Sequence, residues 1–309
     1  MSEEQSQIIL FYKYVRIDDP EAAAEGQRKI CDKLGLTGRC IIASEGINAT
    51  FEGTKENIKE YIKELQKDER FQGIHFKYSA GTGNAFPKLS IKVRKEIVSL
   101  NLGTCDIDPN QVTGVHLKPK ELHQWIKNKK EFYIVDMRNA YEHKVGYFEN
   151  SILPPIENFR DLPKVIEQIK HLKNRIVLTV CTGGVRCEKA SGFLITQGFT
   201  HVYQLDGGIV SYMEKYPNED FQGKLYVFDS RITLGFYTDD KKHTIVGKCD
   251  ACLEQSENYV NCANPVCHRH FIICIDCLGK NSGKAFCLGG CVLSRHGRKI
   301  SSVESNLVQ

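Results

Sequence analysis

The chain has 309 residues, of which 41% are hydrophobic and 26% are charged. This composition predicts about two to three globular domains and excludes disordered and fibrous proteins. The 42 Lys and Arg residues exceed the 38 Asp and Glu residues by a net charge of +4, which is too small to indicate a nucleic-acid partner by itself. No apolar run approaches the roughly 20 residues of a membrane span, and the first residues lack the features of a secretion signal. We therefore expect a cytoplasmic protein without membrane contact.

The first hundred residues predict an α+β domain. Runs of β-branched and aromatic residues predict four strands, and two amphipathic patterns that follow capping residues predict helices. The predicted strands are Ile8–Val15, Arg39–Ala43, Ile47–Phe51 and Ile74–Tyr78, and the predicted helices are Pro20–Leu34 and Thr54–Leu65. The resulting order, β-α-β-β-α-β, is typical of a ferredoxin-like or acylphosphatase-like sandwich. The domain, residues 1–100, ends in a basic run that either contacts RNA or forms a solvated strand face, and its members are Lys88, Lys92, Arg94 and Lys95.

Residues 101–117 predict a linker, because Gly, Asn, Asp and Pro occur there without a sustained hydrophobic period. Residues 118–218 alternate short apolar strands with helices, which predicts an α/β domain whose parallel sheet is covered on both faces. The predicted strands are Phe132–Val135, Arg175–Val180 and His201–Gln204, and the predicted helices lie near Pro119–Lys129, Leu162–Leu172 and Cys187–Gln197. A connector at 219–242 with a strand-like stretch at 225–228, a cysteine-rich module at 243–300 and a tail at 301–309 complete the predicted organisation.

The strongest catalytic signal is the loop CTGGVRC, which runs from Cys181 to Cys187 between a predicted strand and a predicted helix. Such a loop directs its backbone N–H groups toward one centre, with the helix dipole behind them, and so binds an anion. We call this anion-binding loop the cup. Its backbone N–H groups come from Thr182, Gly183, Gly184 and Val185. We expect the cup to stabilise the thiolate of Cys181 as a nucleophile, and Arg186 to add a positive charge beside it.

The length of this loop bears on its chemistry. Cys181 and Arg186 are spaced as C-x4-R, one residue shorter than the C-x5-R loop of cysteine phosphatases. The tighter cup therefore suits sulfur better than a full phosphate. Cys187 has two interpretations: it packs as the first residue of the helix, or it serves as a second, resolving redox thiol.

Eight of the 13 cysteines lie between Cys249 and Cys291. In a chain without a secretion signal, such crowding indicates metal ligands rather than disulfides. The pairs are Cys249 and Cys252, Cys262 and Cys267, Cys274 and Cys277, and Cys287 and Cys291. Four closely spaced pairs predict two structural Cys₄ zinc sites. Each zinc site is formed either by two pairs that follow one another in the sequence or by two pairs that alternate along it. We favour the alternate form, first with third and second with fourth, because it ties a segment with few apolar residues into one unit.

Other features of this module leave alternatives open. An iron–sulfur cluster is the rival occupant, and His268 or His270 could replace a cysteine, although surface or stacking positions are the simpler interpretation. Residues 241–300 carry nine basic and four acidic groups, which fits either contact with an RNA backbone or ordinary solvated lysines. The basic residues considered are Lys280, Lys284, Arg295, Arg298 and Lys299, with Phe271 and Phe286 available for stacking.

The loop and two flanking motifs resemble the rhodanese family. The motifs are DMRNAYE, which contains Asp136 and Arg138, and DGGI, which begins at Asp206. The resemblance implies a transferable persulfide sulfur on Cys181. Because ligands of open α/β sheets bind where strands end, the three flanking residues are candidate substrate contacts. The alternative is a salt-bridge framework formed by Asp136 and Arg138 that holds the loop, with Asp206 as a turn residue.

The three segments together resemble the rhodanese-domain tRNA uridine hydroxylases, and the connecting signatures are SEGINAT at 44–50, FPKLSIKVRKEIVSL at 86–100 and YVFDSRI at 226–232. The resemblance implies that the chain forms 5-hydroxyuridine at the wobble position of tRNA anticodons and consumes molecular oxygen. The sequence contains neither a Gly-rich flavin or NAD fingerprint nor a 2-His-1-carboxylate pattern. We hypothesise that the Cys181 thiolate adds to C6 of the uridine and raises the electron density at C5.

Two other classes of function are compatible with these residues. A sulfurtransferase would pass persulfide sulfur from Cys181 to cyanide, a thiol or a carrier protein. A non-catalytic module would hold RNA through zinc and basic groups, with Cys181 incidental. The sequence does not identify the sulfur or electron donor.

Overall fold

A computed structural model of the chain describes residues 6–267, 269–280, 283–287 and 291. Its contacts divide the chain into two units, residues 1–244 and 245–309. Within the described part of the chain, none of the helices has the length and apolar character needed to cross a bilayer.

The N-terminal part of the first unit is a five-stranded sheet in the order β4-β1-β3-β2-β5. Its strands are β1 (Ser6–Tyr14), β2 (Thr37–Ala43), β3 (Gly46–Thr54), β4 (Lys77–Ala80) and β5 (Leu89–Val93), and its helices are α1 (Pro20–Lys33) and α2 (Lys55–Leu65). Asp19 and Thr54 cap the two helices by accepting hydrogen bonds from backbone amides. Ile9 and Phe11 of β1 pack with the apolar faces of both helices in one buried core, so the helices cover one face of the sheet and leave the other for a different partner.

Two elements of this domain differ from the sequence expectation. The fourth strand is Lys77–Ala80 rather than Ile74–Tyr78, because Ile74 turns into the helix-covered core while only four residues pair with β1. The basic run contains a fifth strand, Leu89–Val93, which pairs in parallel with β2 and agrees with the interpretation of the run as a solvated strand face. Its apolar residues alternate with polar ones, and Lys88, Lys92, Arg94 and Lys95 are exposed, as expected of a half-buried edge strand.

The central part of the first unit is a parallel sheet in the order β6-β10-β9-β7. Its strands are β6 (Val115–Leu117), β7 (Tyr133–Asp136), β9 (Ile176–Val180) and β10 (His201–Leu205). The helices are α3 (Pro119–Lys127), α4 (Ala140–His143), α5 (Leu162–Ile169), α6 (Val185–Thr196) and α7 (Gly208–Lys215). Val177 and Leu178 enter two different buried cores, so both faces of the sheet are covered, as predicted.

Short antiparallel pairs complete the first unit, and they join β8 (Gly146–Phe148) to β11 (Phe221–Gly223) and β12 (Leu225–Tyr226) to β13 (Thr233–Leu234). Three details correct the sequence expectation. Residues 115–117, predicted as linker, form the edge strand β6. Helix α6 begins at Val185, two residues before the predicted start. Helix α7 was not predicted because Gly207 and Gly208, both at positive φ, signal a turn at its start.

A buried ion cluster ties the N-terminal sheet to the central one. The ammonium of Lys189 on α6 is fully buried and lies 2.8 Å from carboxylate oxygens of Glu45, Glu96 and Asp106. The hydroxyl of Tyr14 also donates a hydrogen bond to the carbonyl of Val185 at 3.2 Å. These contacts place the open face of the N-terminal sheet directly over the start of α6.

The second unit is small and is built around cysteine side chains. Its regular elements are β14 (Tyr259–Asn261), β15 (His270–Ile272) and α8 (Ile275–Lys280). Phe271 and Ile273 are buried together with Cys249, Cys277 and other cysteines in its core. The apolar core formed by the described residues of this unit is small, and half or more of its members are cysteines.

Candidate active site and metal centres

The loop after β9 forms the expected cup. Cys181 stands at the end of the strand, and Gly184 adopts φ +102, a left-handed conformation that favours glycine. In this conformation the Gly184 amide donates a hydrogen bond to Cys181 Sγ at 3.2 Å. Helix α6 begins at the next residue, so its N-terminal dipole also points toward the sulfur.

The environment favours the thiolate of Cys181. Burial opposes ionisation, but hydrogen bonding from the Cys187 thiol, the positive charge of Arg186 and the amides of Cys187 and Gly184 outweigh it and lower the pKa of Cys181 to about 6. Burial and the neighbouring Cys181 sulfur raise the pKa of Cys187. These opposite shifts favour Cys187 as the neutral thiol and Cys181 as the sulfur that ionises.

Arg186 does not act as a free charge in the cup. Its guanidinium donates to both carboxylate oxygens of Glu142, at 2.5 and 2.9 Å, and to the hydroxyl of Thr182 at 3.2 Å. Glu142 is fully buried and Arg186 nearly so. The expected positive charge is therefore largely balanced by Glu142, a residue inside the DMRNAYE motif that sequence reasoning did not single out.

The structure places Asp136 and Arg138 behind the loop rather than in a ligand site. Both side chains are fully buried, and Arg138 donates to both oxygens of Asp136 and to the carbonyl of Gly146. Burial opposes ionisation of Asp136, but Arg138 and His143 hold its pKa well below the usual range. Side chains without solvent access and with paired charges cannot contact a substrate. Asp136 and Arg138 therefore form the salt-bridge framework that the sequence analysis gave as the alternative. Asp206 also lies outside the cavity described below.

The open face of the N-terminal sheet covers the loop. A Cβ added at Gly183 would lie 2.6 Å from a methyl carbon of Leu10, and one added at Gly184 would lie 2.8 Å from the hydroxyl oxygen of Tyr12. The Tyr12 hydroxyl donates to Glu188 on α6 at 2.9 Å. The glycines of the loop thus serve two purposes: they form the cup and they admit the side chains of β1.

A cavity of about 430 Å³ lies between the sheet face, the loop and residues that follow β11. From the loop it is lined by Cys181, Thr182, Gly183, Val185 and Arg186. The sheet contributes Leu10, Tyr12, Arg39, Asn48 and Lys77, and the segment 225–234 contributes Leu225, Val227, Phe228 and Arg231. A mostly apolar cavity of this size with a few polar groups is typical of a small-molecule or nucleobase site.

Sequence reasoning found the loop but missed the residues of the N-terminal sheet that face it. Tyr12 and Lys77 lie more than a hundred positions before the loop, so no local motif joins them. One signal was present: the strand IILFYKYV is apolar or aromatic at nearly every position. A strand that shows little alternation is covered on both faces.

The eight cysteines of the second unit form two groups, each with all four sulfur atoms within 4.8 Å of one another. The groups are Cys249, Cys252, Cys274 and Cys277, and Cys262, Cys267, Cys287 and Cys291. Within them, Sγ of Cys252 and Cys274 and Sγ of Cys267 and Cys287 lie 3.6 Å apart. Tetrahedral zinc with Zn–S bonds of about 2.3 Å requires sulfur separations near 3.8 Å. The donor sets fit one ion each, and the pairs combine alternately, as favoured from the sequence.

The histidine and aromatic residues that were considered as further ligands or stacking groups occupy other positions. His270 lies outside both cysteine groups, and its ring packs edge-on to Tyr259 with centroids 6.3 Å apart. Phe271 is buried in the core and is not available for stacking on a ligand, so that expectation was wrong. Lys280 and Lys284 are exposed and Phe286 is half-buried, whereas His268, Arg295, Arg298 and Lys299 lie outside the described residues.

Family models match nearly the whole chain. The UPF0176 acylphosphatase like domain matches residues 6–97, the rhodanese-like domain matches 118–215, and the rhodanase C-terminal domain matches 222–292. The first two confirm the fold predicted for the N-terminal and central domains.

Relatives of similar length also match. A protein of Cytophaga hutchinsonii named tRNA uridine(34) hydroxylase is 45% identical over 277 residues, which are 90% of this chain and 87% of the relative. One of the same name from Bacillus licheniformis is 45% identical over 271 residues, which are 87% of this chain and 83% of the relative. Among solved structures, a rhodanese-like domain protein from Staphylococcus aureus is 27% identical with a TM-score of 0.28, covering 32% of this chain and 90% of its own.

The parallel sheet and its cysteine loop, enclosed by an acylphosphatase-like sheet, define a multidomain protein of the rhodanese class. The sequence identity with these relatives extends over almost the full length of the chain, and it identifies the family within this class. The chain belongs to the tRNA uridine(34) hydroxylase family, as its sequence motifs indicated.

Proposed function

We propose that this protein hydroxylates the wobble uridine of tRNA anticodons to 5-hydroxyuridine, with molecular oxygen as the oxidant. The observation that carries the proposal is the position of Cys181, a sulfur with a pKa of about 6 that lines a cavity large enough to admit a nucleobase. Family membership supplies the substrate, because the relatives are named for uridine 34 of tRNA. The protein would act in the cytoplasm, where its tRNA substrate is found.

The cavity suits an extruded base. Its walls are largely apolar side chains such as Leu10, Leu225 and Val227, while Asn48 and Lys77 offer polar groups for the edge of a base. A wobble base lies in a single-stranded loop, so moving it into the cavity breaks stacking but no base pair. Burial of the base beside the sulfur also excludes water from the reaction.

The chemistry follows from the electrophilic C6 of uracil. The Cys181 thiolate forms an S–C6 bond, and the electron pair of the C5=C6 bond moves to C5 and O4. Carbon 5 then bonds to molecular oxygen and a proton is taken up, which gives a hydroperoxide on the ring. An external two-electron reductant of the thiol class reduces the hydroperoxide to a hydroxyl group and water. Loss of the C5 proton and of the Cys181 thiolate restores the double bond.

The cysteine groups of the second unit would each hold one structural Zn²⁺. Four thiolates fill a tetrahedral site and leave no position for substrate. When bound, the metals supply folding stability rather than a reaction step.

The test compares tRNA from cells that lack the protein with tRNA from cells complemented by wild type, Cys181→Ser or Cys105→Ser. Cys105 is an exposed cysteine and provides the matched control. Mass spectrometry of nuclease digests should show 5-hydroxyuridine derivatives restored by wild type and Cys105→Ser and absent with Cys181→Ser. Full restoration by Cys181→Ser would overturn the role of the loop cysteine. A lack of any change between the deletion and wild-type strains would overturn the function.

A persulfide sulfurtransferase is the second candidate, favoured by the match of residues 118–215 to the rhodanese-like domain. In that case purified protein would turn over thiosulfate rapidly in the absence of RNA, and Cys181→Ser would abolish the turnover. The cavity, with its wall from the N-terminal sheet and its mostly apolar lining, favours a bulky planar substrate over a small sulfur acceptor.

A further inference from the structure

Lys77 of β4 is a buried cation that the loop motif does not account for. Its side chain is 5% exposed, it lines the same cavity as Cys181, and its ammonium lies 4.6 Å from the ring centroid of Tyr12. Among the described residues, this ammonium has no hydrogen-bond or ion-pair partner. The Lys77 ammonium is not one of the fully enclosed side-chain atoms without a partner, so it keeps access to the cavity, and a ligand bound there can accept its hydrogen bonds.

The other cations around the cavity are already engaged or exposed. Arg186 is paired with Glu142, and Arg231 is paired with Asp229 at 2.6 Å. Arg39 is exposed at the rim. Among the described residues that line the cavity, Lys77 is therefore the buried cation that is available to a ligand.

We propose that Lys77 is a catalytic residue that stabilises and protonates the uracil enolate formed when Cys181 adds to C6. This inference rests on the function proposed above. Negative charge that develops on O4 and C5 is expensive in an apolar cavity, and a positioned ammonium stabilises it strongly there. The ammonium donates a hydrogen bond to O4, and when oxygen is absent it transfers its proton to C5, leaving a neutral amine.

The fold delivers Lys77 from a domain that an isolated rhodanese-like domain would lack. Strand β4 pairs with β1 in the register Leu10 to Lys77, so Lys77 and Tyr12 lie on the same open face. Tyr12 is fixed in turn by its hydrogen bond to Glu188. The N-terminal sheet thus completes the active site instead of only covering it.

Several charged groups face Lys77 and set its proton affinity. Burial lowers the pKa of Lys77 to about 8, while the negative charges of Asp206, Cys181 and Glu188 act in the opposite direction. His75, just before β4, also interacts with it electrostatically, and the ring of Tyr12 lies against the ammonium.

The experiment uses the full-length protein and an anticodon stem-loop RNA that carries 5-fluorouridine at the wobble position. Under anaerobic conditions the ring can be attacked at C6 and protonated at C5 but not oxygenated. The covalent protein–RNA adduct is then quantified after denaturation by gel electrophoresis and mass spectrometry. The variants are Lys77→Met, Lys77→Arg, Cys181→Ser and, as a matched control, Lys59→Met, an exposed lysine on the helix-covered side.

We expect wild type and Lys59→Met to form the adduct at equal rates and Cys181→Ser to form none. Lys77→Met should slow adduct formation by about 100-fold or more, the range typical of a lost general acid. The wild-type rate should rise with pH as Cys181 ionises near pH 6 and fall as Lys77 loses its proton near pH 8. Lys77→Arg should lose the upper limb, because arginine stays protonated at that pH.

Each outcome separates the two proposals. If wild type forms the adduct and Lys77→Met forms it as fast, the inference about Lys77 is overturned while the function stands. If wild type hydroxylates tRNA but forms no adduct, both C6 addition and the Lys77 inference fail. If the Lys77→Arg profile keeps the fall near pH 8, another group controls that limb and the inference is overturned. Unchanged alkylation of Cys181 by iodoacetamide in Lys77→Met, measured well above the pKa of Cys181 so that the thiolate is fully formed in both proteins, will show that the loop remains folded.

Discussion

The carboxylate of Glu142 accepts hydrogen bonds from both terminal guanidinium nitrogens of Arg186, at 2.5 and 2.9 Å, and both side chains are buried. The pair converts the arginine of the loop from a mobile ligand-binding group into part of the scaffold. It also moderates the field at Cys181, because the carboxylate offsets the positive charge that stabilises the thiolate.

Removing one partner of this pair should destabilise the protein strongly. Glu142→Gln leaves Arg186 buried without its counter-charge, and we expect a loss of about 3 to 5 kcal/mol in the free energy of unfolding. The control is Glu131→Gln, which breaks an exposed pair with Arg175 at 3.0 Å and should cost less than about 1 kcal/mol. Urea denaturation followed by the fluorescence of Trp125 measures both. Equal losses in the two variants would contradict the scaffold role.

The reactivity of Cys181 should follow the thiolate fraction. Its pKa of about 6 predicts an alkylation rate that rises from pH 5 to pH 7 and then levels off, because the thiolate is the nucleophile. Cys187→Ala removes a hydrogen-bond donor and should raise the pKa of Cys181, which slows alkylation at pH 6. Cys187→Ser keeps a donor and should stay closer to wild type. Mass spectrometry of the Cys181 peptide after iodoacetamide treatment gives the rates, and identical profiles for the two variants would exclude this role of Cys187.

The parts that could be predicted from the sequence were those governed by local patterns. The cup at Cys181 was predictable because a strand, a Gly-containing loop and a helix follow one another in the chain, and the cysteine pairs because ligand spacing is local. The roles of Asp136 and Glu142 were not separable, since both stand in one motif and only packing distinguishes a buried framework from a site wall.

The contacts between the N-terminal sheet and the loop could not be predicted in the same way. Tyr12 and Lys77 meet the loop only after two domains dock, and that docking depends on Lys189 and three carboxylates that are distant in sequence. The surfaces through which two domains dock leave no periodic pattern in the amino-acid sequence. The absence of alternation in β1 shows that a second face is covered but not by which element.

The conformation of Gly184 makes it a sensitive position. Gly184→Ala introduces a side chain at φ +102 with its Cβ 2.8 Å from the Tyr12 hydroxyl oxygen, and we expect a loss of about 1 to 3 kcal/mol in stability from backbone strain. The displaced amide would no longer stabilise the sulfur, so alkylation of Cys181 at pH 6 should slow. Gly26→Ala is the control, because nothing lies within 4 Å of its added Cβ in α1 and a small gain in stability is expected. Wild-type reactivity in Gly184→Ala would contradict the importance of this amide.

Metal content should follow the two cysteine groups independently. Metal analysis of purified wild type is expected to give two zinc ions per chain, and Cys249→Ser and Cys262→Ser should each retain one, since the cysteines belong to different groups. A chelator that removes both should unfold the second unit, because metal ligation supplies much of the stability of such modules. Cys105→Ser should keep both metals. Loss of both ions in each single variant would show that the sites are not independent.

The rim of the cavity offers a platform for a neighbouring base. Phe228 is 45% exposed, lines the cavity, and packs edge-on to Tyr226 with centroids 5.2 Å apart. Stacking of one base on an aromatic side chain contributes about 1 to 3 kcal/mol, so Phe228→Ala should raise KM for tRNA by roughly 5-fold to 150-fold and leave kcat nearly unchanged. Tyr237→Ala removes an exposed aromatic that does not line the cavity and should change neither constant. A fall in kcat with constant KM would instead place Phe228 in the chemical step, because only interactions made in the transition state alter kcat alone.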